Sequence, residues 1–300
     1  MRALRGCGTA LVTPFSASGA VDEKRLKALV EWQVAEGIDF LVPCGSTGEA
    51  ATLSVDERQL VVALVVEAAA GRVPVMAGAT HNATSEAVLE ARRMSALGVD
   101  WLLVATPYYN RPTPDGLVRH FHAVADASAV PVCLYNVPGR TAVNLRPDTV
   151  LRLASHDNII GIKESSGDLA QVQHLLLGRP EGFAVLSGED WMTLAIMAAG
   201  GDGLVSVASN EIPATMTALV AAASHGRLEE ARTILFAILP LLEANFMETN
   251  PAPVKAALAA MGRIDDGVRL PLVPLSSGKR AALRGALRAA GVVLAEADLR

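Results

Sequence analysis

The chain has 300 residues, 51% of them apolar, and a formal net charge of −5. That is ample material for a large core and excludes a disordered chain; with no basic cluster, the charge also excludes a nucleic-acid platform. No apolar run approaches the roughly 18 residues a membrane helix requires, so no membrane role is expected and the expected location is cytoplasmic.

In chain order, apolar strand-like runs alternate with amphipathic helical runs. The predicted strands are 8–14, 40–45, 73–80, 101–107, 130–136, 159–163, 183–188 and 203–208. The helices between and after them are predicted at 22–36, 54–70, 84–97, 114–127, 146–154, 168–177, 191–199 and 213–224. Ser54-Val55-Asp56-Glu57 and Thr84-Ser85-Glu86 supply hydroxyls and acids where helix starts leave free N–H groups. Arg2 and Arg5 ahead of a short apolar run, with Ala17-Ser18-Gly19-Ala20 after it, loosely imitate a signal peptide. Thr9, Thr13 and Pro14 break that run, and it reads instead as a first strand. The thiols Cys7, Cys44 and Cys133 lie in strand-like runs without framework spacing, which implies buried free thiols in a reducing compartment.

Eight βα units in a row require parallel strands joined by helical crossovers, and near-continuous apolar strands require helices outside them. The expected fold is α/β, a (β/α)₈ barrel over residues 1–225. A purely helical C-terminal domain is expected over 226–300, with helices at 228–247, 254–261 and 278–290. An open doubly wound sheet is the competitor, but no GxGxxG follows the first strand.

Barrel chemistry takes place at the C-terminal ends of the strands, and polar residues gather there. The second strand runs into Gly45-Ser46-Thr47-Gly48-Glu49, the fourth into Tyr108-Tyr109, and the fifth into Tyr135 and Arg140. The sixth, Ile159-Ile160-Gly161-Ile162-Lys163-Glu164, closes its apolar run with one of only five lysines. The other four, Lys24, Lys27, Lys255 and Lys279, read as placed where a solvated ammonium is cheap. Burial disfavours the charged form of Lys163, and a neutral lysine amine is a nucleophile for ketones; the alternative is a strand-end lysine that reaches water or pairs with Glu164. Ser46 and Thr47 offer hydroxyls and backbone N–H groups suited to a carboxylate, or else cap the next helix. Tyr135 can give and take a proton, or only hydrogen-bond to backbone. Arg140 can grip a carboxylate bidentately, or only be solvated.

His120 and His122 are two apart on a helical run, and His81, His156, His174 and His225 show no ligand spacing, so no metal is expected. The glycine-rich turn Gly200-Gly201-Asp202-Gly203 precedes the eighth strand, at the wrong end of a barrel for a phosphate site. No organic cofactor is expected.

Gly45-Ser46-Thr47-Gly48-Glu49, Tyr135-Asn136-Val137-Pro138-Gly139-Arg140-Thr141 and Gly161-Ile162-Lys163-Glu164 together resemble the dihydrodipicolinate synthase (4-hydroxy-tetrahydrodipicolinate synthase) family. That family sits in the pyruvate-dependent class I aldolase superfamily with N-acetylneuraminate lyase. The resemblance runs from Gly8–Phe15 through Asn250–Lys255 to Arg269-Leu270-Pro271-Leu272.

It implies a Schiff base between Lys163 and pyruvate, proton transfer by Tyr135, and a carboxylate cradle and relay at Ser46 and Thr47. It further implies that Tyr109 reaches into a neighbouring subunit, and that Arg140 receives the carboxylate of L-aspartate 4-semialdehyde. Val205 matches an aliphatic position whose carbonyl lies near the lysine, and Gly188 a turn shaping the pyruvate pocket. Asn82, Glu86 and Tyr108 match an allosteric lysine site. Ala50, Val55 and Arg58 replace the polar or imidazole residues of strongly regulated members, which implies weak or absent feedback. The implied assembly is a homotetramer, a dimer of dimers, in lysine/diaminopimelate biosynthesis. A second pyruvate-dependent aldolase activity, on N-acetylneuraminate or 2-keto-3-deoxy sugar acids, is the near alternative. A non-catalytic keto-acid or lysine sensor is the distant one.

Overall fold

The computed structural model describes residues 3–295; Arg2, part of the leader-like reading, lies outside them. Eight parallel strands appear where eight were expected: β1 (Gly6–Ala10), β2 (Phe40–Val42), β3 (Met76–Gly78), β4 (Trp101–Ala105), β5 (Val132–Asn136), β6 (Ile159–Glu164), β7 (Ala184–Ser187) and β8 (Gly203–Ser206). Their order is β2-β1-β8-β7-β6-β5-β4-β3. The Leu41–Val75 bridge, with Leu41 N–H on the Pro74 carbonyl (3.0 Å) and Gly78 N–H on the Pro43 carbonyl (3.0 Å), joins β2 to β3. The sheet is thereby a (β/α)₈ barrel.

The surrounding helices are α1 (Glu23–Ala35), α2 (Val55–Ala69), α3 (Thr84–Ser95), α4 (Pro114–Ala127), the four-residue α5 (Pro138–Thr141), α6 (Pro147–Leu153), α7 (Leu169–Gly178), α8 (Thr193–Ala198) and α9 (Pro213–Ser224). Three C-terminal helices follow, α10 (Leu228–Ala244), α11 (Ala252–Ala260) and α12 (Ser277–Ala289); α10 packs on α9 and α12. No helix among the described residues is long and apolar enough to cross a membrane.

Strand alternation divides the core in two. Phe40, Met76, Trp101, Leu103, Cys133, Tyr135, Ala184, Leu186 and Val205 form one cluster inside the barrel. Cys7, Leu41, Leu102, Leu134, Ile162, Val185 and Leu204 point outward into the second, larger cluster shared with the helices. Both faces being covered explains why the strands read as continuous apolar runs. All three cysteines are buried and free, and burial pushes the Cys44 and Cys133 thiols up to about 12.

Ser54 caps α2 in a full capping box with Glu57, as its sequence suggests. The same expectation fails at α3. There the N-cap is Ala83, with no side-chain cap, because Thr84 is already the first helical residue and its hydroxyl pairs with His120 Nδ1 at 3.0 Å. His122 faces elsewhere, its ring 5.1 Å from that of His156. Among the described residues no histidine, cysteine or acidic cluster could hold a metal. The Gly200–Gly203 turn lies at the N-terminal end of the barrel, where Asp202 binds Arg179 and the Val185 N–H.

Candidate active site

Lys163 comes into the barrel mouth because β6 alternates: Ile162 and Glu164 face outward, Lys163 inward. It is 6% exposed, and its Nζ lies 4.3 Å from the centre of the Tyr135 ring. Tyr135 is its register partner on β5 and is also buried. Below them the barrel interior is apolar, with Val205 in the same inner cluster as Tyr135.

Lys163 does not pair with Glu164. That carboxylate lies on the other face, accepting from Asn136 Nδ2 (3.1 Å), the Ser166 N–H (2.6 Å) and Gln171 Nε2 (3.2 Å). Burial pushes the Glu164 carboxyl up from its ordinary value against these donors. The buried outer network thus fixes β5, β6 and α7 behind the site, and leaves the lysine amine facing the mouth.

Gly188, just after β7, makes the space that Lys163 occupies. A Cβ there would come within 2.8 Å of Lys163 Cε and 1.9 Å of Ser165 Oγ. Ser165 Oγ is itself buried and makes no hydrogen bond among the described residues. Gly188→Ala should displace the lysine and cut kcat by about a hundredfold or more, the scale of a 1 Å misplacement at a reacting centre. Steady-state kinetics on the folded variant checks this.

The turn after β2 is held by close backbone approach. A Cβ on Gly78 would meet the Cys44 carbonyl oxygen at 2.0 Å, so the chain leaving β2 crosses directly over β3. Cys44 itself sits at φ 56° and Glu49 at φ 55°. Neither hydroxyl of the turn caps the next helix, since Ser54 does that. Thr47 is buried, and its Oγ1 accepts a hydrogen bond from Asn250 Nδ2 at 2.9 Å. Ser46 is exposed.

Arg140 lies on α5, an element the sequence reading did not foresee. α5 is pinned through Thr141, whose Oγ1 accepts from buried Thr106 Oγ1 (3.0 Å) at the end of β4. Arg140 is exposed, with Nη2 3.5 Å from the Asn250 carbonyl. Tyr109, in contrast, is not brought into the site by its own chain: it is 89% exposed, at φ 73°. Asn82, Glu86 and Tyr108 lie on a separate exposed to half-exposed stretch, where the Asn82 carbonyl accepts from Asn110 Nδ2 (2.9 Å). Near them Arg58 is committed to Glu90 (2.7 Å) and to the Leu53 carbonyl (3.2 Å).

Three residues of the mouth escaped sequence reasoning. Lys163 is not the lone buried lysine, because Lys255 on α11 is fully buried. Its Nζ donates to Glu49 Oε1 at 2.7 Å and lies 4.1 Å from the centre of the Phe15 ring. The signal was available: α11 reads Ala-Pro-Val-Lys-Ala-Ala-Leu-Ala-Ala, apolar all round and therefore buried. Asn250 is the second, buried at 4%. Glu189 is the third, a half-buried carboxyl pushed up to about 7 by burial, against the opposing pull of Lys163 and then Arg140. Only the folded chain brings it within electrostatic reach of Lys163 and Arg140.

Glu189 gives a pH dependence of definite sign. With its carboxyl pushed up to about 7, it gains its negative charge as pH rises through that value and then repels anionic ligands. The KM for a carboxylate substrate should therefore rise as pH passes upward through 7, and Glu189→Gln should flatten that rise in a pH series.

Residues 3–290 match the family model described as the dihydrodipicolinate synthetase family. The 4-hydroxy-tetrahydrodipicolinate synthase of Koribacter versatilis is 54% identical over 291 residues, 97% of each chain. That of Acidobacterium capsulatum is 55% identical over 282 residues, 93% of each. Among solved structures, the chloride-inhibited dihydrodipicolinate synthase of Acinetobacter baumannii complexed with pyruvate superposes with a TM-score of 0.95. It is 42% identical and the match covers 97% of this chain and 100% of that one. With a lysine and a tyrosine paired across β5 and β6 in a (β/α)₈ barrel, and likeness over nearly its whole length, the chain belongs to the dihydrodipicolinate synthetase family.

Proposed function

We propose that the chain is a carbon–carbon bond-forming enzyme that condenses pyruvate with L-aspartate 4-semialdehyde, as a 4-hydroxy-tetrahydrodipicolinate synthase does. The observation that carries this reading is Lys163, 6% exposed with Nζ 4.3 Å from the ring centre of Tyr135, in a chain 54% identical to such a synthase. The Lys163 amine adds to C2 of pyruvate and water leaves, giving an imine. Loss of a proton from C3 makes the enamine, which attacks the aldehyde carbon. The amino group of the second substrate then closes the ring at C2 and displaces lysine. Tyr135, beside the amine, passes the protons, and the Thr47 hydroxyl, with Ser46, receives the pyruvate carboxylate. Val205 and Gly188 shape the pocket around the lysine.

Arg140 receives the carboxylate of the semialdehyde. Its guanidinium is exposed at the mouth and holds the Asn250 carbonyl only at 3.5 Å, which suits a fork that must close on an anion. Arg140→Ala should raise the semialdehyde KM by roughly tenfold or more, the worth of a charge-assisted pair. Formation of the pyruvate adduct should be nearly unchanged.

Tyr109 supports an oligomeric reading: a tyrosine at φ 73° and 89% exposed is poised to complete the relay of a partner. A homotetramer built from two such dimers is the assembly proposed, and sedimentation of the native chain and of Tyr109→Phe measures it. Asn82, Glu86 and Tyr108 form the proposed regulatory site, with feedback by lysine weak or absent because Arg58 is held by Glu90. The boundary after residue 225 is the proposed domain division, and the reducing cytoplasm the proposed location of the three free thiols.

A coupled assay decides the substrate. Turnover of pyruvate with aspartate semialdehyde, measured through the next reductase, should far exceed cleavage of N-acetylneuraminate or a 2-keto-3-deoxy sugar acid. The reverse order would reject the reading in favour of a sugar-acid lyase.

A further inference from the structure

Asn250 stands where the C-terminal helices meet the barrel mouth, one residue before the Pro251 that leads into α11. Its side chain is 4% exposed and its Nδ2 donates to Thr47 Oγ1 at 2.9 Å. Its backbone carbonyl accepts from Arg140 Nη2 at 3.5 Å, and its Oδ1 is buried without a hydrogen-bond partner among the described residues. Five residues on, Lys255 is locked to Glu49, two residues beyond Thr47, through a fully buried contact of 2.7 Å. The Glu49 Oε2 also accepts from the Arg269 N–H at 3.0 Å. The cradle turn is therefore clamped to the C-terminal segment at two points, one of them through the hydroxyl that would meet substrate.

A threonine hydroxyl has one proton and two lone pairs. When an amide N–H occupies a lone pair, the proton is left to point elsewhere. We propose that Asn250 is a positioning residue for the first substrate: by donating to Thr47 Oγ1 it commits that hydroxyl to donate outward, to a carboxylate oxygen of a small 2-keto acid. A hydroxyl free to rotate could instead present a lone pair to the anion, which repels it. The buried Glu49–Lys255 pair keeps the two residues in register, so the C-terminal helices serve the site as well as covering the barrel. This inference rests on the reading of Thr47 as the keto-acid carboxylate ligand.

The test measures how pyruvate concentration saturates borohydride trapping on Lys163, alongside the KM of each substrate, in the full-length chain. In Asn250→Asp the side chain can only accept, so it takes the Thr47 proton and adds a negative charge; in Asn250→Ala the hydroxyl is released. Half-saturating pyruvate should rise about tenfold or more in both, the cost of a lost hydrogen bond to a charged group, and more in the aspartate variant. The semialdehyde KM should change less than about twofold, because the backbone carbonyl facing Arg140 is retained. In a double-mutant cycle with Thr47→Val, the Asn250→Ala effect on pyruvate should largely vanish. Unchanged pyruvate saturation in Asn250→Asp, an equal rise in both KM values, or strict additivity in the cycle would overturn the proposal. Should the residue-250 variants fail to fold, Thr47→Val alone reads the same donor, and normal pyruvate saturation in it overturns the proposal while the Schiff base stands. A wild-type chain that gives no adduct on Lys163 overturns both this inference and the reading beneath it.

Discussion

Replacing Lys163 with alanine should lower turnover by roughly 10⁴-fold or more, the scale on which enzymes lose activity when their nucleophile is removed. The reason is positional as well as chemical. Of the other lysines, Lys27 pairs with Glu67 and Lys279 donates to the Met247 carbonyl, away from the inner cluster around Tyr135. Lys255 cannot substitute, because it is fully buried against Glu49. Lys163→Arg should be equally inactive despite keeping the charge, since a guanidinium forms no Schiff base. The stability of Lys163→Ala should stay close to that of the parent chain, as no ion pair is broken. Steady-state assays beside denaturant unfolding of both variants check the pair of outcomes.

The second large effect concerns stability. Lys255→Met should destabilise the fold by about 3–5 kcal/mol, the cost of leaving one member of a buried ion pair unpaired. Glu49 would keep the Arg269 N–H at 3.0 Å on its Oε2 and the more distant pull of the Arg269 guanidinium, and burial already pushes the Lys255 ammonium down from its ordinary value against the pull of Glu49. Because burial, not the partner, dominates that shift, the pair is costly to build and costly to halve. The double variant Lys255→Met, Glu49→Gln should recover much of the loss by removing both charges. Urea unfolding of the two variants and the parent measures it; a single variant within about 1 kcal/mol of the parent would contradict the coupling.

What the sequence made legible followed from local period. Eight apolar runs separated by helical runs produced eight strands at nearly the expected places, since covering a parallel sheet on both faces leaves a strong signal in composition. Lys163 was legible because a cation closing an apolar strand breaks that pattern, and Ser54 because a capping box is written in four consecutive residues. Thr84 was misread for the opposite reason: its hydroxyl pairs with His120, 36 residues away, a competition invisible in a local window. Lys255 sits on a helix whose type alone suggests a solvated lysine, whereas the absence of any polar face around it marks a buried one.

Glu189 and Asn250 carried no local mark at all. Glu189 gains meaning only where the turn after β7 brings it within electrostatic reach of Lys163 and Arg140, and Asn250 only where a contact spanning 203 residues reaches Thr47. Tyr109 lies between these cases. The family motif marks it, but its own chain leaves it 89% exposed, and its proposed partners belong to another subunit.

The Lys163 amine is the proposed nucleophile for pyruvate. Treating the native chain with pyruvate and borohydride, then mapping the modified peptide by mass spectrometry, tests it most directly. A reductively attached three-carbon acid on Lys163, absent without pyruvate, is the expected result. No adduct, or an adduct confined to another lysine, would contradict it.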